Sequence, residues 1–211
     1  KIQGEISMII GITGSSGCGK TTVSQILKQK YHAHLIIADE IAKDLSKKGT
    51  MYLSTIVKKF GEDILLPDGQ LNRKKLADII YHDSKKRDIL NQCTFGFIVK
   101  EIEKKIQNIY QKDKNSLIVI DAPLLFEANL QKSCDTTIAV ILPDTELQIK
   151  RIMKRDQINR KEAIARLNAQ PSNEFYEKRC DHVLINDENL EKIEKQLHVI
   201  LSSFEYMLEE N

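Results

Sequence analysis

The chain of 211 residues holds 41% hydrophobic and 29% charged side chains, enough for one good core with room for an inserted or appended helical lobe. A formal net charge of +2 gives no case for general nucleic-acid affinity, so any basic character must be local. No apolar run approaches the about 20 residues of a membrane span, and no membrane partner is expected.

The polar opening Lys1-Ile2-Gln3-Gly4-Glu5 lacks an apolar run long enough for a secretory leader. Since Lys1 rather than a methionine stands first, Met8 is expected near the natural start. A β-branched run, Met8-Ile9-Ile10-Gly11-Ile12, predicts a buried strand, and Thr21 to Lys30 predicts a helix with Val23, Ile26 and Leu27 on one face. Between them, Gly14, Gly19, Lys20 and Thr21 occupy the fixed positions of the phosphate-loop pattern G-x-x-x-x-G-K-[ST]. Glycines in such a loop leave backbone N–H groups free to converge on phosphate oxygens, and the positive end of the next helix adds to that field. Lys20 is expected to reach the outer phosphates, and the Thr21 hydroxyl to take a Mg²⁺ coordination position. The alternative is a glycine-rich turn that binds nothing. Residue frequencies match the four fixed positions by chance in only roughly 1% of chains this long, so nucleotide binding is the expectation.

A second strand, His34 to Ala38, ends at Asp39-Glu40. Residues just past the carboxyl ends of strands line the ligand crevice of open α/β sheets, so Asp39 can accept a proton from an attacking hydroxyl. It serves equally well as a helix N-cap for Ile41–Leu45. From Ile41 to Lys112 the pattern is helical: Met51 to Phe60 capped by Gly61, a turn at Leu66-Pro67-Asp68-Gly69, then Arg73 to Tyr81 and Lys86 to about Lys112. So long a helical block predicts an inserted acceptor-binding lobe. The sheet resumes at Ser116–Asp121, an apolar strand of Walker B form whose terminal carboxylate would hold Mg²⁺, and again at Thr136–Leu142. Arg151, Arg155, Arg160 and Arg166 flank a helix–loop–helix, which suggests a lid closing on phosphates; an ordinary solvated face with a Glu146–Lys150 pair is the alternative. Cys180 to Asn186 is a last strand and Leu190 to Leu208 a closing amphipathic helix. Cys18, Cys93, Cys134 and Cys180 are scattered without a C-x-x-C pair, which predicts reduced thiols, no metal cluster and a cytoplasmic enzyme.

Taken together these segments resemble the dephospho-coenzyme A kinase family. The matching pieces are Gly11–Gly14 with Gly19–Val23, Ala38–Ala42, Phe60-Gly61 leading to Asp68–Arg73, Asp121–Glu127, Glu146–Gln148 with Arg151 and Arg155, Ala169-Gln170, and the strand ending at Asn186. The resemblance implies a three-layer α/β/α phosphate-loop kinase with a five-stranded parallel sheet, a helical substrate-binding insertion and a lid. The expected division is a core of about 7–48, 114–150 and 168–211, a coenzyme A lobe of about 49–113 and a lid of about 151–167. Gly14, Gly17, Cys18, Gly19, Lys20, Thr21 and Thr22 would hold ATP, with Arg151 and Arg155 on the lid side. Thr21 and Asp121 would serve Mg²⁺. Asp39, Arg73, Leu124, Leu125, Phe126 and Glu127 would face dephospho-coenzyme A, with Asp39, Lys20 and Arg151 catalytic. The reaction implied is γ-phosphoryl transfer from ATP to the ribose 3′-hydroxyl, by a monomer or weak homo-oligomer. Another small acceptor, or a nucleotide-binding regulator, is the alternative. The family often shows Asp-Ala-Asp and His-Pro where this chain reads Ile37-Ala38-Asp39 and Phe95-Gly96, and the second change is expected to alter acceptor contacts or a local turn.

Overall fold

The computed structural model describes residues 7–202 and Phe204. They fall into two compact units, one built from the chain up to Ile36 and from Ile109 onward, the other from Ile37–Asn108.

The first unit is organised by a sheet of β1 (Met8–Thr13), β2 (His34–Ile37), β3 (Leu117–Asp121), β4 (Thr136–Ile141) and β5 (His182–Ile185), in the order β2-β3-β1-β4-β5. β1 runs parallel to β3, with Ile10 beside Val119, and to β4, with Ile12 beside Ile138; β4 runs parallel to β5, with Val140 beside Leu184. Every residue of β1, β3 and β4 is buried. Such continuous apolar runs fit a parallel sheet covered on both faces.

Alternation along each strand assigns the two faces. Met8, Ile10, Ile12, Ile138 and Val140 pack against Val23, Ile26 and Leu27 of α1 (Lys20–Tyr31) and against Ile193, Leu197 and Leu201 of α9 (Leu190–Ser202). On the opposite face Ala139 and Ile141 meet the fully buried Tyr176 of α8 (Asn173–Glu177). Gly11 is on that face too, where a Cβ would lie 2.8 Å from Cys134 Sγ and 3.0 Å from Leu125 Cδ2, so β1 admits no side chain there. This unit also contains a 3₁₀ turn at Leu130–Ser133, α6 (Thr145–Asp156), N-capped by the Asp144 carboxylate, and α7 (Arg160–Asn168), opened by a reciprocal Asn159–Glu162 capping box. At the sheet edge, the Gln196 amide of α9 accepts from the Ile185 N–H at 2.9 Å and donates to the Ile185 carbonyl at 3.0 Å. The four cysteines are free, and burial pushes the Cys134 thiol up to about 12 and that of Cys180 to about 11, which makes both unreactive.

The second unit contains α2 (Ala38–Leu45), α3 (Met51–Phe60), a single 3₁₀ turn at Glu62–Ile64, α4 (Arg73–His82) and most of α5 (Ser84–Tyr110). Its own small core joins Tyr52, Ile56, Ile64 and Leu76 to Phe60, Leu90, Phe97 and Ile98, with the Tyr52 and Phe97 rings edge-on at 5.8 Å. Thr50 and Asn72 accept hydrogen bonds from Leu53 N–H and Lys75 N–H, capping α3 and α4.

One boundary differs from expectation. α2 begins at Ala38 rather than after Asp39, with Ile37 at the N-cap and no side-chain cap. Asp39 therefore lies inside the first turn, where its charge favours the positive helix end, and the N-cap reading does not hold. α5 runs unbroken through Phe95-Gly96, since neither residue lacks a backbone N–H as proline would. The predicted continuation of α9 to Leu208 falls, apart from Phe204, outside the described residues. Among the described residues no helix is long and apolar enough to cross a membrane.

Candidate active site

The loop between β1 and α1 owes its shape to conformations that side chains disfavour and to close neighbours. Gly14 has φ +140°, and a Cβ there would stand 2.3 Å from the Val140 carbonyl oxygen. Gly19 has φ +100°, and its Cβ would stand 1.9 Å from Asn186 Nδ2. Only glycine satisfies both demands at these positions. Lys20 folds its ammonium back over the loop, donating to the carbonyls of Gly14 at 2.7 Å and Ser15 at 3.3 Å. That places a positive charge beside a run of backbone amides at a helix N-terminus, an arrangement suited to phosphate.

Side chains from three distant segments brace this loop. Gln148 of α6 donates through Nε2 to Ser15 Oγ at 2.6 Å and to the Ser16 carbonyl at 2.7 Å. Gln170 accepts from the Ser16 N–H at 2.6 Å, and Asn186, one residue beyond β5, donates to the Cys18 carbonyl at 2.7 Å. Gln148 and Asn186 are almost wholly buried, so each bond satisfies groups that water does not reach. Sequence reasoning met these three only as members of the family pattern. Gln148 had a local signal, a polar side chain on the same helical face as Ile149 and Ile152. The thiol of Cys18 points into the core, which leaves only its backbone for a ligand.

The four arginines separate into two kinds. Arg151 donates through Nη1 to the Gly17 carbonyl at 3.3 Å, and Arg155 through Nη2 to Ser16 Oγ at 2.8 Å, so both guanidinium groups sit on the loop. Arg160 instead makes two hydrogen bonds to Glu146, at 2.8 and 2.7 Å, and Arg166 pairs with Asp156. Glu146 thus takes its hydrogen bonds from Arg160, while Lys150, which the sequence spacing pairs with it, acts on it through charge. Burial opposes ionisation of Asp156, but its hydrogen bonds and ion pairs with Arg155 and Arg166 outweigh that and hold its carboxyl below the usual range. Asp156 thereby joins α6 to α7 and fixes the plane of Arg155.

Asp121 ends β3 and accepts from Ser24 Oγ at 2.8 Å. Ser24 follows Thr21 by three residues on α1, so the exposed Thr21 hydroxyl shares the helix face that Asp121 meets. Among the described residues no group of three or more His, Cys, Asp or Glu could hold a metal. One hydroxyl and one carboxylate are the hard oxygen donors that Mg²⁺ takes from protein when phosphates and water supply the rest, and in that sense the residues fit.

Past Asp121 the predicted acceptor residues differ among themselves. Leu124 and Phe126 are partly exposed, with Phe126 edge-on to Phe175 at 6.2 Å. Leu125 is fully buried against Gly11; it packs the sheet, and this corrects its assignment to substrate contact. Burial pushes the Glu127 carboxyl up, against the opposing charge of Arg179, and its Oε2 has no hydrogen-bond partner among the described residues. In the second unit, Asp39 presents an exposed carboxylate in the first turn of α2, and Arg73 donates to the Lys43 carbonyl at 3.1 Å and to Ser46 Oγ, tying α4 to the end of α2.

The family model for dephospho-CoA kinase matches residues 8–192. A dephospho-CoA kinase of Listeria monocytogenes is 41% identical over 196 residues, which is 92% of this chain and 96% of the relative. Among solved structures, a Thermus thermophilus protein superposes with a TM-score of 0.74 at 26% identity, covering 93% of this chain and 97% of the other. The dephospho-CoA kinase from Campylobacter jejuni gives 0.64 at 25% identity, covering 94% and 98%.

Proposed function

This chain belongs to the dephospho-CoA kinase family, and on that premise we propose which of its residues carry the reaction. The protein is an ATP-dependent kinase that phosphorylates dephospho-CoA, the final step of coenzyme A formation. The observation that carries the assignment is the loop from Gly14 to Thr22, on which Lys20, Arg151 and Arg155 converge within hydrogen-bonding distance.

Backbone N–H groups of residues 17–22 and the Lys20 ammonium hold the ATP phosphates. Arg151 and Arg155 meet the charge that develops on the transferring γ-phosphoryl group. Their planar, multidentate donors suit spread phosphate charge better than a point charge would. Asp39 takes the proton of the attacking ribose 3′-hydroxyl, a role supported by its exposed position two residues past the end of β2. Thr21 and Asp121 would hold Mg²⁺, which would supply positive charge to offset the negative charge of the phosphates. Catalysis then comes mainly from positioning and fixed charge. Residues 49–113 form the acceptor lobe, where Arg73 orients the end of α2, and residues 151–167 form a lid. Leu124, Phe126 and Glu127 contribute to the acceptor side.

ADP release from Mg·ATP is the test, with dephospho-CoA, adenosine, AMP and shikimate supplied as separate acceptors. Turnover with dephospho-CoA alone, yielding coenzyme A, is expected. Turnover confined to another acceptor would overturn the substrate assignment while keeping the phosphate chemistry. ATP binding without acceptor-dependent release would favour a regulator.

A further inference from the structure

The turn after β5 carries a side chain with no part in holding ATP, Mg²⁺ or the acceptor. Glu188 has φ +70°, in the left-handed region that residues lacking a short polar side chain seldom occupy. Two polar contacts hold it there. Its N–H donates to Asn186 Oδ1 at 3.1 Å, and its carboxylate accepts from Arg151 Nη2 at 2.7 Å. Both partners also grip the phosphate loop, Asn186 at the Cys18 carbonyl and Arg151 at the Gly17 carbonyl. Glu188 therefore closes a ring that runs from the loop backbone through Asn186 and the strained turn to Arg151 and back to the loop.

The ring acts on an arginine that would otherwise sample many rotamers. A guanidinium has five N–H donors in one plane. One on Nη1 points at Gly17 and one on Nη2 at Glu188, so the plane is held at two points and, among the described residues, three donors remain to spare. Backbone strain that persists within a polar network calls for a functional account. We propose that Glu188 is a positioning residue: it sets the Arg151 guanidinium over the loop before ATP arrives, so that the spare donors meet the transferring phosphoryl group already oriented. This rests on the assignment of Arg151 to the nucleotide phosphates.

Steady-state kinetics with varied ATP and saturating dephospho-CoA test it, using Glu188→Asn, Glu188→Gln, Arg151→Ala and the double variant Glu188→Asn/Arg151→Ala. Asparagine tolerates the left-handed conformation, so Glu188→Asn should keep the wild-type melting temperature. Its kcat should nevertheless fall roughly tenfold, as a misplaced catalytic group predicts, with KM for ATP within about twofold. Glu188→Gln, whose amide oxygen still accepts from Arg151, should fall between Glu188→Asn and wild type. The double variant should be no slower than Arg151→Ala alone. A lowered KM for ATP in Glu188→Asn would mean that the carboxylate competes with phosphate, and would overturn the proposal. Unchanged kcat, or additive losses in the double variant, would overturn it as well. The two assignments fail separately: a slow Arg151→Ala beside a normal Glu188→Asn removes only the positioning role, whereas an unimpaired Arg151→Ala removes the nucleotide assignment on which it depends.

Discussion

An alanine at Gly19 meets two separate penalties, and a second substitution relieves only one of them. The backbone at φ +100° is disfavoured for any residue with a Cβ, at about 1–2 kcal/mol. The new methyl group would also stand 1.9 Å from Asn186 Nδ2, so the amide must move away from the Cys18 carbonyl. Leaving those buried groups unpaired costs about 1–3 kcal/mol. Gly19→Ala should therefore destabilise by about 3 kcal/mol, which for a chain of this size lowers Tm by roughly 6–12 °C. Asn186→Ala should cost about 1–3 kcal/mol on its own by removing the same bond. In the double variant the methyl group enters the space that Asn186 vacates, so the total should fall short of the sum by about 1–2 kcal/mol. Thermal melts of the four proteins, with and without ATP, measure the cycle. Additive losses would refute the claim that Asn186 is what excludes a side chain at Gly19.

Asp39→Asn should retain ATP binding, measured by titration, while slowing turnover by roughly 10²–10⁴, the range for a lost general base; undiminished turnover would remove Asp39 from that role. Gly96 lies inside α5 without a positive φ, and a methyl group there would have nothing within 4 Å. Gly96→Ala should therefore stabilise the chain by about 0.5–1 kcal/mol, and a lower Tm would show that the helix is not continuous there. Burial raises the Glu127 carboxyl above its ordinary 4.5 in the folded chain. The native state thus binds more protons than the unfolded one just above that pH, and this group makes stability fall as pH rises through the window. Glu127→Gln should remove that loss, raising Tm relative to wild type at pH 7 more than at pH 4; an equal shift at both would mean that the carboxyl titrates normally.

The features legible in the sequence were those whose signal is local. Gly14, Gly19, Lys20 and Thr21 stand within eight positions of one another, and the strands ending at Thr13 and Asp121 are short apolar runs. The braces were harder to see because their contacts are remote in sequence. Asn186 reaches Cys18 across 168 residues, Gln170 reaches Ser16 across 154, and Gln148 reaches Ser15 across 133. No periodicity reports such pairings. The arginines show the same limit from the other side: helical spacing alone does not rank the four, the family pattern points to Arg151 and Arg155, and the structure adds that Arg160 is taken up by Glu146 while Arg166 pairs with Asp156. Leu125 was misassigned for a related reason. It lies among partly exposed neighbours in the chain, yet the missing side chain at Gly11 makes room for it inside.

The Gln196 amide at the sheet edge has a consequence for colloidal behaviour. Val183 and Ile185 of β5 expose apolar side chains, and an edge strand of that kind is a template for adding a strand from another molecule. At Ile185 the amide already occupies the outward N–H and C=O, as a neighbouring strand would. An incoming chain must break two intramolecular hydrogen bonds, and lose its own freedom of motion, merely to replace them with two of the same kind. One glutamine on the closing helix thus opposes edge-to-edge strand addition at that position.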